Sequence, residues 1–174
     1  MRRAASVRGQ AAQFGPILRV IIAAVGRLRV GPEATLVVDY LARFDRTGRP
    51  LGLGPARVVE VEDRRGGGAA AEGALLAAAP PEGAFLVALD ERGDQLDSPG
   101  FAAFLRRTAD SGRRDLAFAV GGADGLDPAL RDRADRRISF GPMVWPHMLV
   151  RVMLAEQLYR AAAILSGSPY HRGG

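Results

Sequence analysis

The chain has 174 residues, of which 48% are hydrophobic, and this is enough for one domain with a substantial core. Because it contains no cysteine and only two histidines, disulfides, thiol chemistry and thiolate metal sites are excluded, and we expect no bound metal. All 24 basic residues are arginines, and the formal net charge of +5 predicts a surface that attracts polyanions, of which nucleic acid is the commonest in a cytoplasm.

Residues 1–16 are predicted to be a disordered extension in front of a single domain over residues 17–174. They carry arginines among small and polar residues, but they lack the apolar block and the cleavage site of a signal peptide. No stretch of the chain approaches the ~18 uninterrupted apolar residues of a membrane span. We therefore expect a cytoplasmic protein that does not associate with membranes.

Strands and helices alternate through the first two thirds of the sequence. The first apolar run, residues 17–25, is rich in β-branched residues and is typical of a strand buried on both faces of a parallel sheet. This alternation predicts an α/β fold with a parallel sheet and right-handed crossovers. The later strands are predicted at residues 57–61, 83–90 (ended by a turn at 91–93) and 116–120, and the helices from Pro32, from Ala69 and from Ser98.

The order changes after the fourth strand. A short helix is predicted from Asp127 and a brief strand over residues 137–140, followed by a proline-rich loop. The final helix is predicted to begin at Pro146 and to bury the side on which apolar residues recur every three or four positions. The residues on that side are Met148, Val152, Ala155, Tyr159 and Ala162.

A glycine turn follows the fourth predicted strand. Gly121, Gly122 and Gly125 lie at the carboxyl end of a strand, where open α/β sheets bind small molecules, and glycine lets backbone amides approach a ligand closely. Their spacing matches neither the dinucleotide-binding fingerprint nor a P-loop. The turn therefore has two interpretations, a ligand-binding loop or a tight turn without a ligand.

Several polar residues near the C-terminus are candidates for a functional site, each with a structural alternative. His147 begins the last helix, where it can bind a ligand or simply hold the loop. Arg151 can contact a phosphate or belong to a solvated helix face. Tyr170, His171 and Arg172 can stack on a base and hold a phosphate, or can pack against their own domain.

In this order, the motifs resemble the ribosomal RNA large subunit methyltransferase H family of the SPOUT superfamily. The resemblance covers residues 17–172, and it is specific because the motifs occur together. The matching segments are Val25-Gly26 and residues 89–93, 121–125, 146–151, 156–161 and 169–172.

The resemblance implies a SPOUT-type parallel sheet flanked by helices, with a deep trefoil knot on the C-terminal side, and a homodimer. It also implies a methyltransferase that uses S-adenosyl-L-methionine. Its implied target is N3 of a pseudouridine in helix 69 of 23S rRNA, methylated in the assembled ribosome.

The resemblance also implies site residues by position. Those implied to bind the cofactor are Leu89, Gly121, Gly122, Phe140, Gly141, Pro142, Met143, Val144, Trp145 and Pro146. Those implied to be catalytic, by holding the target base, are His147, Arg151, Tyr170, His171 and Arg172, with the tail reaching a site shared between protomers. The chain departs from the family at Gly141 and Val144, where hydroxyl side chains are more usual, and each lost hydrogen bond is worth ~0.5–1.5 kcal/mol.

Two other functions are consistent with the sequence. If the altered loop no longer binds cofactor, the same fold would be a non-catalytic basic module that binds RNA or the ribosome. The third hypothesis is an α/β enzyme that acts on a small molecule and is unrelated to RNA. Cofactor binding separates the first two, and a steep fall of RNA affinity with salt would argue against the third.

Overall fold

The computed structural model of the protein describes residues 17–173, so the predicted N-terminal extension lies outside the described residues. The strands are β1 (Leu18–Val25), β2 (Leu53–Val61), β3 (Phe85–Gln95), β4 (Asp115–Val120) and β5 (Arg136–Ser139). The helices are α1 (Pro32–Gly48), α2 (Gly68–Ala78), α3 (Ser98–Asp110), α4 (Pro128–Arg133) and α5 (His147–Leu165). Short 3-10 turns occupy Arg49–Leu51 and Pro169–Gly173.

The five strands form one parallel sheet in the order β2-β1-β4-β3-β5. This confirms the predicted parallel α/β sheet flanked by helices. The two most apolar strands, β1 and β4, pair with each other near the middle of the sheet, and every residue of β4 is buried. Apart from Arg19 and Asp115, which pair with each other at 2.8 Å, these strands carry no polar side chains, and such strands are stable where both of their faces are covered, which explains their inner positions.

Helices cover both faces of the sheet. The larger apolar cluster lies on the face covered by α1, α3 and α5, where Phe44, Phe118, Leu105 and Leu154 are fully or almost fully buried. A smaller cluster around Leu76 joins the other face to α2 and α4. Since burial of each large apolar side chain contributes about 1.5–3 kcal/mol, the first cluster dominates the hydrophobic stabilisation.

The predicted turn at residues 91–93 is wrong, because β3 continues to Gln95. Its register against β5 shifts so that Ile138 pairs with both Leu89 and Asp94, and the residues between them bulge out. Gly93 makes this possible: a Cβ there would lie 2.6 Å from the backbone nitrogen of Ile138. The glycine that suggests a turn in the sequence instead permits close contact between two strands.

The prediction for the buried side of the last helix is partly correct. Ala155 and Ala162 are buried as expected, but Met148 is 38% exposed. The fully buried apolar side chains include Leu154 and Leu158, since the helix packs against both α1 and α3. Within residues 17–173, no helix combines the length and the apolar character that crossing a membrane requires.

Candidate active site

A cavity of about 700 Å³ opens at the carboxyl edge of the sheet. It lies where β3 and β4 end, beside β5 and the start of α5. This is the position at which parallel α/β sheets bind ligands, because the loops that follow neighbouring strands converge there. The wall consists of residues 89–92, 120–126, Arg131, Ile138, Phe140, Gly141, residues 143–147 and Val150.

The structure brings nearly all of the predicted cofactor-binding residues together around this cavity. Nine of them line the wall: Leu89, Gly121, Gly122, Phe140, Gly141, Met143, Val144, Trp145 and Pro146. Pro142 belongs to the same loop but is not part of the wall. Residues separated by more than fifty positions in the sequence thus form one concave surface.

The glycine turn has a structural requirement of its own. A Cβ at Gly121 would lie 2.6 Å from the backbone carbon of Gly125, and Gly125 has a φ of 76°, in the left-handed region that favours glycine. A Cβ at Gly122 would lie 3.1 Å from Cγ1 of Val25 on the neighbouring strand. The turn is therefore tight for reasons of packing, and it also borders the cavity.

The loop over residues 140–146 forms one side of the cavity mouth. Ser139 fixes its start, because its hydroxyl accepts a hydrogen bond from the Gly141 amide at 3.0 Å and donates to the carbonyl of Glu91 at 3.1 Å. Beyond this anchor the loop exposes apolar side chains, with Met143 67% and Val144 83% exposed. An apolar, solvent-facing rim is suited to contact with a ligand or a second macromolecule.

An ion pair that the sequence analysis did not assign to the site lies in the cavity wall. Asp90, at the end of the regular part of β3, accepts a hydrogen bond from the Arg131 guanidinium at 3.1 Å, and its side chain is only 9% exposed. The same carboxylate accepts the backbone amide of Arg92 at 3.0 Å. Asp90 was detectable from its place at a strand's carboxyl end, whereas nothing in the local sequence marks Arg131.

Of the predicted catalytic residues whose side chains the structure describes, only His147 lines the cavity. It is the first residue of α5 and follows Pro146, which sets the direction in which the chain enters the helix. Its imidazole is partly buried and lies beside the loop over residues 140–146. A ligand in the cavity would therefore contact this side chain directly.

Arg151, one turn further along α5, is fully buried and does not line the cavity. Its Nη2 donates to the carbonyls of Val25 and Gly26, and its Nη1 pairs with Glu60 at 3.2 Å. Glu60 also accepts the amide of Leu28 at 2.7 Å. Burial lowers the pKa of Arg151, and Glu60 opposes that shift. The side chain thus joins α5 to the ends of β1 and β2, which neither interpretation of the sequence anticipated.

The C-terminal tail packs against the middle of α5 rather than at the cavity. The Tyr170 hydroxyl donates to Glu156 at 3.1 Å, and its ring lies 4.5 Å from that of Tyr159. Arg160 donates to the same Glu156 oxygen and covers the Tyr170 ring at 4.9 Å. Burial, reinforced by the Glu156 carboxylate, raises the pKa of Tyr170 to about 12, so this phenol stays protonated at neutral pH.

His171 has an unsatisfied polar atom in this arrangement. Its Nδ1 is buried and has no hydrogen-bond partner among residues 17–173. The side chain of Arg172 lies outside what the structure describes. The described part of the chain contains no group of three or more histidine, aspartate or glutamate side chains positioned to hold a metal ion.

Comparison with known proteins identifies the class to which this fold and cavity belong. A family model described as "Predicted SPOUT methyltransferase" matches residues 18–171, so the chain belongs to the SPOUT methyltransferases and, within them, to the ribosomal RNA large subunit methyltransferase H family. Proteins with that name from Ruegeria pomeroyi and Dinoroseobacter shibae are 69% and 68% identical to it over 155 residues, covering 89% of this chain and 99% of each relative.

Solved structures resemble the chain only weakly. A probable methyltransferase from Bordetella pertussis Tohama I aligns with a TM-score of 0.44 and 18% identity, covering 84% of this chain and 95% of that one. This similarity is too low to support a functional inference.

The buried position of Arg151 gives a prediction about stability. Arg151→Met keeps an unbranched apolar stem but leaves two backbone carbonyls without their donor and Glu60 without its counterion. Because Glu60 is partly exposed, we expect a loss of about 2–3 kcal/mol rather than the larger cost of a fully buried unpaired charge. Urea unfolding followed by circular dichroism measures the loss. Arg107→Met, at an exposed position on α3, is the control and should change stability by less than about 0.5 kcal/mol.

Proposed function

We propose that the protein transfers a methyl group from S-adenosyl-L-methionine to rRNA of the large ribosomal subunit. The finer proposal is that the acceptor is N3 of a pseudouridine in helix 69 of 23S rRNA, that the assembled ribosome is the substrate, and that the reaction takes place in the cytoplasm. The support is the family membership and the names of relatives that are 65–69% identical over nearly their whole length.

The observation that carries the proposal is the cavity at the carboxyl edge of the sheet. Its volume of about 700 Å³ lies within the range of small-molecule sites, roughly 300–1,000 Å³. Backbone amides of the glycine turn, apolar walls such as Leu89 and Phe140, and the charged pair Asp90–Arg131 together suit a ligand with an aromatic base, a sugar and a zwitterionic end. We propose that S-adenosyl-L-methionine binds there.

When bound, the cofactor would supply an electrophilic methyl group on a sulfonium. Pseudouridine N3 carries an imide proton, which must leave before the nitrogen lone pair can form the new N–CH3 bond while the S–CH3 bond breaks. The protein's contribution to such a transfer is to align the nitrogen with the methyl group, to exclude water and to stabilise the negative imide. Neither a metal nor a covalent enzyme intermediate is needed.

His147 is the residue best placed to act within one protomer, because it lines the cavity where the target base would enter. We propose that its imidazole orients the base or accepts the N3 proton. His171 is the second candidate for the proton, since its buried Nδ1 has no partner within the described chain. Separate substitutions of His147 and His171 distinguish which of the two imidazoles accepts the proton.

Tyr170 and His171 do not line the cavity of their own protomer. Tyr170 is held to Glu156, nine residues along α5 from His147, which corresponds to about 14 Å at 1.5 Å per residue. We therefore propose a homodimer in which Tyr170, His171 and Arg172 of one protomer complete the cavity of the other. The deep trefoil knot implied by the family resemblance belongs to the same proposal.

A second cavity supports the proposed dimer. It has a volume of about 660 Å³ and lies between α1, α3 and α5, bordered by Leu36, Tyr40, Phe101 and Met153. Leu36 is 43% exposed, so an apolar surface along α1 and α5 faces solvent in the single chain. A second copy of the chain would cover it.

The function is tested by transfer of a tritiated methyl group from S-adenosyl-L-methionine to ribosomes with unmodified rRNA and, separately, to the isolated 23S rRNA. We expect label in the assembled ribosome and little in the free RNA. Nuclease mapping of the product locates the modified nucleotide. A folded, dimeric protein that binds RNA but labels neither substrate would favour the non-catalytic RNA-binding alternative.

The placement of the cofactor is tested by Gly122→Leu. A side chain at this position would press on Val25 and on Glu72 of α2, and would displace the amides of the glycine turn. We expect calorimetry to show a loss of cofactor affinity of at least tenfold, ~1.4 kcal/mol or more, in a protein that retains its circular dichroism spectrum. Ala129→Leu, exposed on α4 outside the cavity, is the matched control. Unchanged affinity in folded Gly122→Leu would contradict the placement.

The role of the tail is tested by deletion of residues 170–174. Neither Tyr170 nor His171, the residues of this segment whose side chains the structure describes, belongs to the cavity wall, so cofactor affinity should stay within about twofold of the full chain while methyl transfer is lost. Single variants His171→Gln and His147→Gln then compare the two imidazoles by their effects on kcat. Full activity of the truncated protein would show that the tail only packs against its own domain.

A further inference from the structure

We propose that the loops after β1 and β2 form an arginine surface that binds the phosphate backbone of the RNA next to the target base. The surface, called here the arginine edge, consists of Arg27, Arg29, Arg64 and Arg65. It rests on the proposed function in one respect, that the substrate is RNA. The additional claim of this proposal is the location on the protein at which the RNA backbone is bound.

The arginine edge lies beside the candidate active site. Ala24 of β1 pairs with Val120 of β4, directly before the glycine turn, and β2 pairs with β1 on the far side. Since neighbouring strands lie about 4.8 Å apart, the two loops begin roughly 5 and 10 Å from the glycine turn. Val25 lies next to that turn, since a Cβ added at Gly122 would be 3.1 Å from Cγ1 of Val25. A nucleic acid strand leaving the cavity in this direction would therefore pass over both loops.

Two carboxylates near the loops are engaged by backbone amides or by a buried arginine, whereas the guanidinium groups of the loops are exposed. Glu60 of β2 accepts the Leu28 amide of the loop over residues 26–31 at 2.7 Å and pairs with the buried Arg151. In residues 62–67, the Asp63 carboxylate accepts the amides of Arg65 and Gly67. These carboxylates are occupied by the fold, so they neutralise the exposed arginines less than their number suggests. The loops are fixed before any ligand binds, which lowers the ordering cost of binding.

The exposed arginines have little internal compensation. Arg27 and Arg64 share one carboxylate, Glu62, at 3.9 and 3.7 Å, and their side chains are 69% and 76% exposed. Ion pairs at such distances between exposed side chains contribute little stabilisation, so a phosphate can readily replace the carboxylate. Arg29 and Arg65 form no ion pair with any residue in the described range 17–173, and both are exposed.

The size of the arginine edge fits a short stretch of backbone. One strand of a nucleic acid helix carries one phosphate per about 3.4 Å of helix axis, and the two loops begin on neighbouring strands about 5 Å apart, so the four guanidinium groups face a few consecutive phosphates. Arginine binds phosphate through two parallel hydrogen bonds, which adds direction to the charge interaction. The surface would thus hold the backbone in register without reading its sequence.

The chain offers a control set that is matched in charge and exposure. Arg46, Arg49, Arg107 and Arg114 are also exposed, but they lie at the ends of α1 and α3 and before β2 and β4, which is the opposite edge of the sheet. The test variant carries Arg27→Gln, Arg29→Gln, Arg64→Gln and Arg65→Gln. The control variant carries glutamine at the other four positions. Each variant removes four positive charges from the formal +5, so only the location of the loss differs.

The experiment measures ribosome binding and methyl transfer by the two variants at several salt concentrations, with cofactor affinity as the test of an intact fold. We expect the test variant to bind cofactor normally but to show a KM for ribosomes that is higher by about tenfold or more. The slope of log K for ribosome binding against log salt concentration should become shallower by about 2–3. The control variant should stay close to the unmodified protein. Equal losses in the two variants, or no loss in the test variant, would overturn the proposal.

The experiment distinguishes failure of the arginine-edge proposal from failure of the proposed function. If the unmodified protein transfers no methyl group, the enzymatic proposal fails, but the comparison of binding between the two variants still tests the arginine edge. If methyl transfer occurs and the test variant keeps the KM and salt slope of the unmodified protein, the enzymatic proposal stands and the arginine edge is wrong.

Discussion

The guanidinium of Arg151 connects the elements on which the candidate site depends. From one turn inside α5 it donates to two carbonyls at the end of β1 and to the carboxylate of Glu60 on β2. An unpaired arginine at this depth would be strongly unfavourable, and these three contacts compensate for the burial of its charge. The start of α5, which carries His147, is thereby held against the sheet edge that carries the glycine turn.

Most of the fold could be predicted because its strands are local apolar runs of the right length. The limits of this approach are visible in β3, where the bulge depends on Ile138, a partner more than forty residues away. They are equally visible at Arg151, whose acceptors lie 126, 125 and 91 residues earlier in the chain. Contacts of this kind depend on topology, and the periodicity of a single helix does not contain them.

The candidate site also combines residues that were predicted from the sequence with residues that only the folded structure brings together. Much of the cavity wall follows from two local features, the glycine turn and the proline-rich loop, and both are visible as sequence segments. The predictions of which cofactor binds and of catalytic roles for the tail residues came from the family resemblance. Asp90 and Arg131 join the wall only when β3 and α4 are brought together, which is why residue types alone did not single out this pair.

Ile138, Phe140 and Gly141 belong to the walls of both cavities, the one at the sheet edge and the one between α1, α3 and α5. A movement of these shared residues would therefore alter both cavities. If occupation of one cavity shifts these residues, the affinity of the other changes by a definite factor, and thermodynamic reciprocity requires the same factor in the opposite direction. Small-molecule binding and subunit association would then be coupled equilibria, so that protein concentration itself sets the apparent affinity for the small molecule.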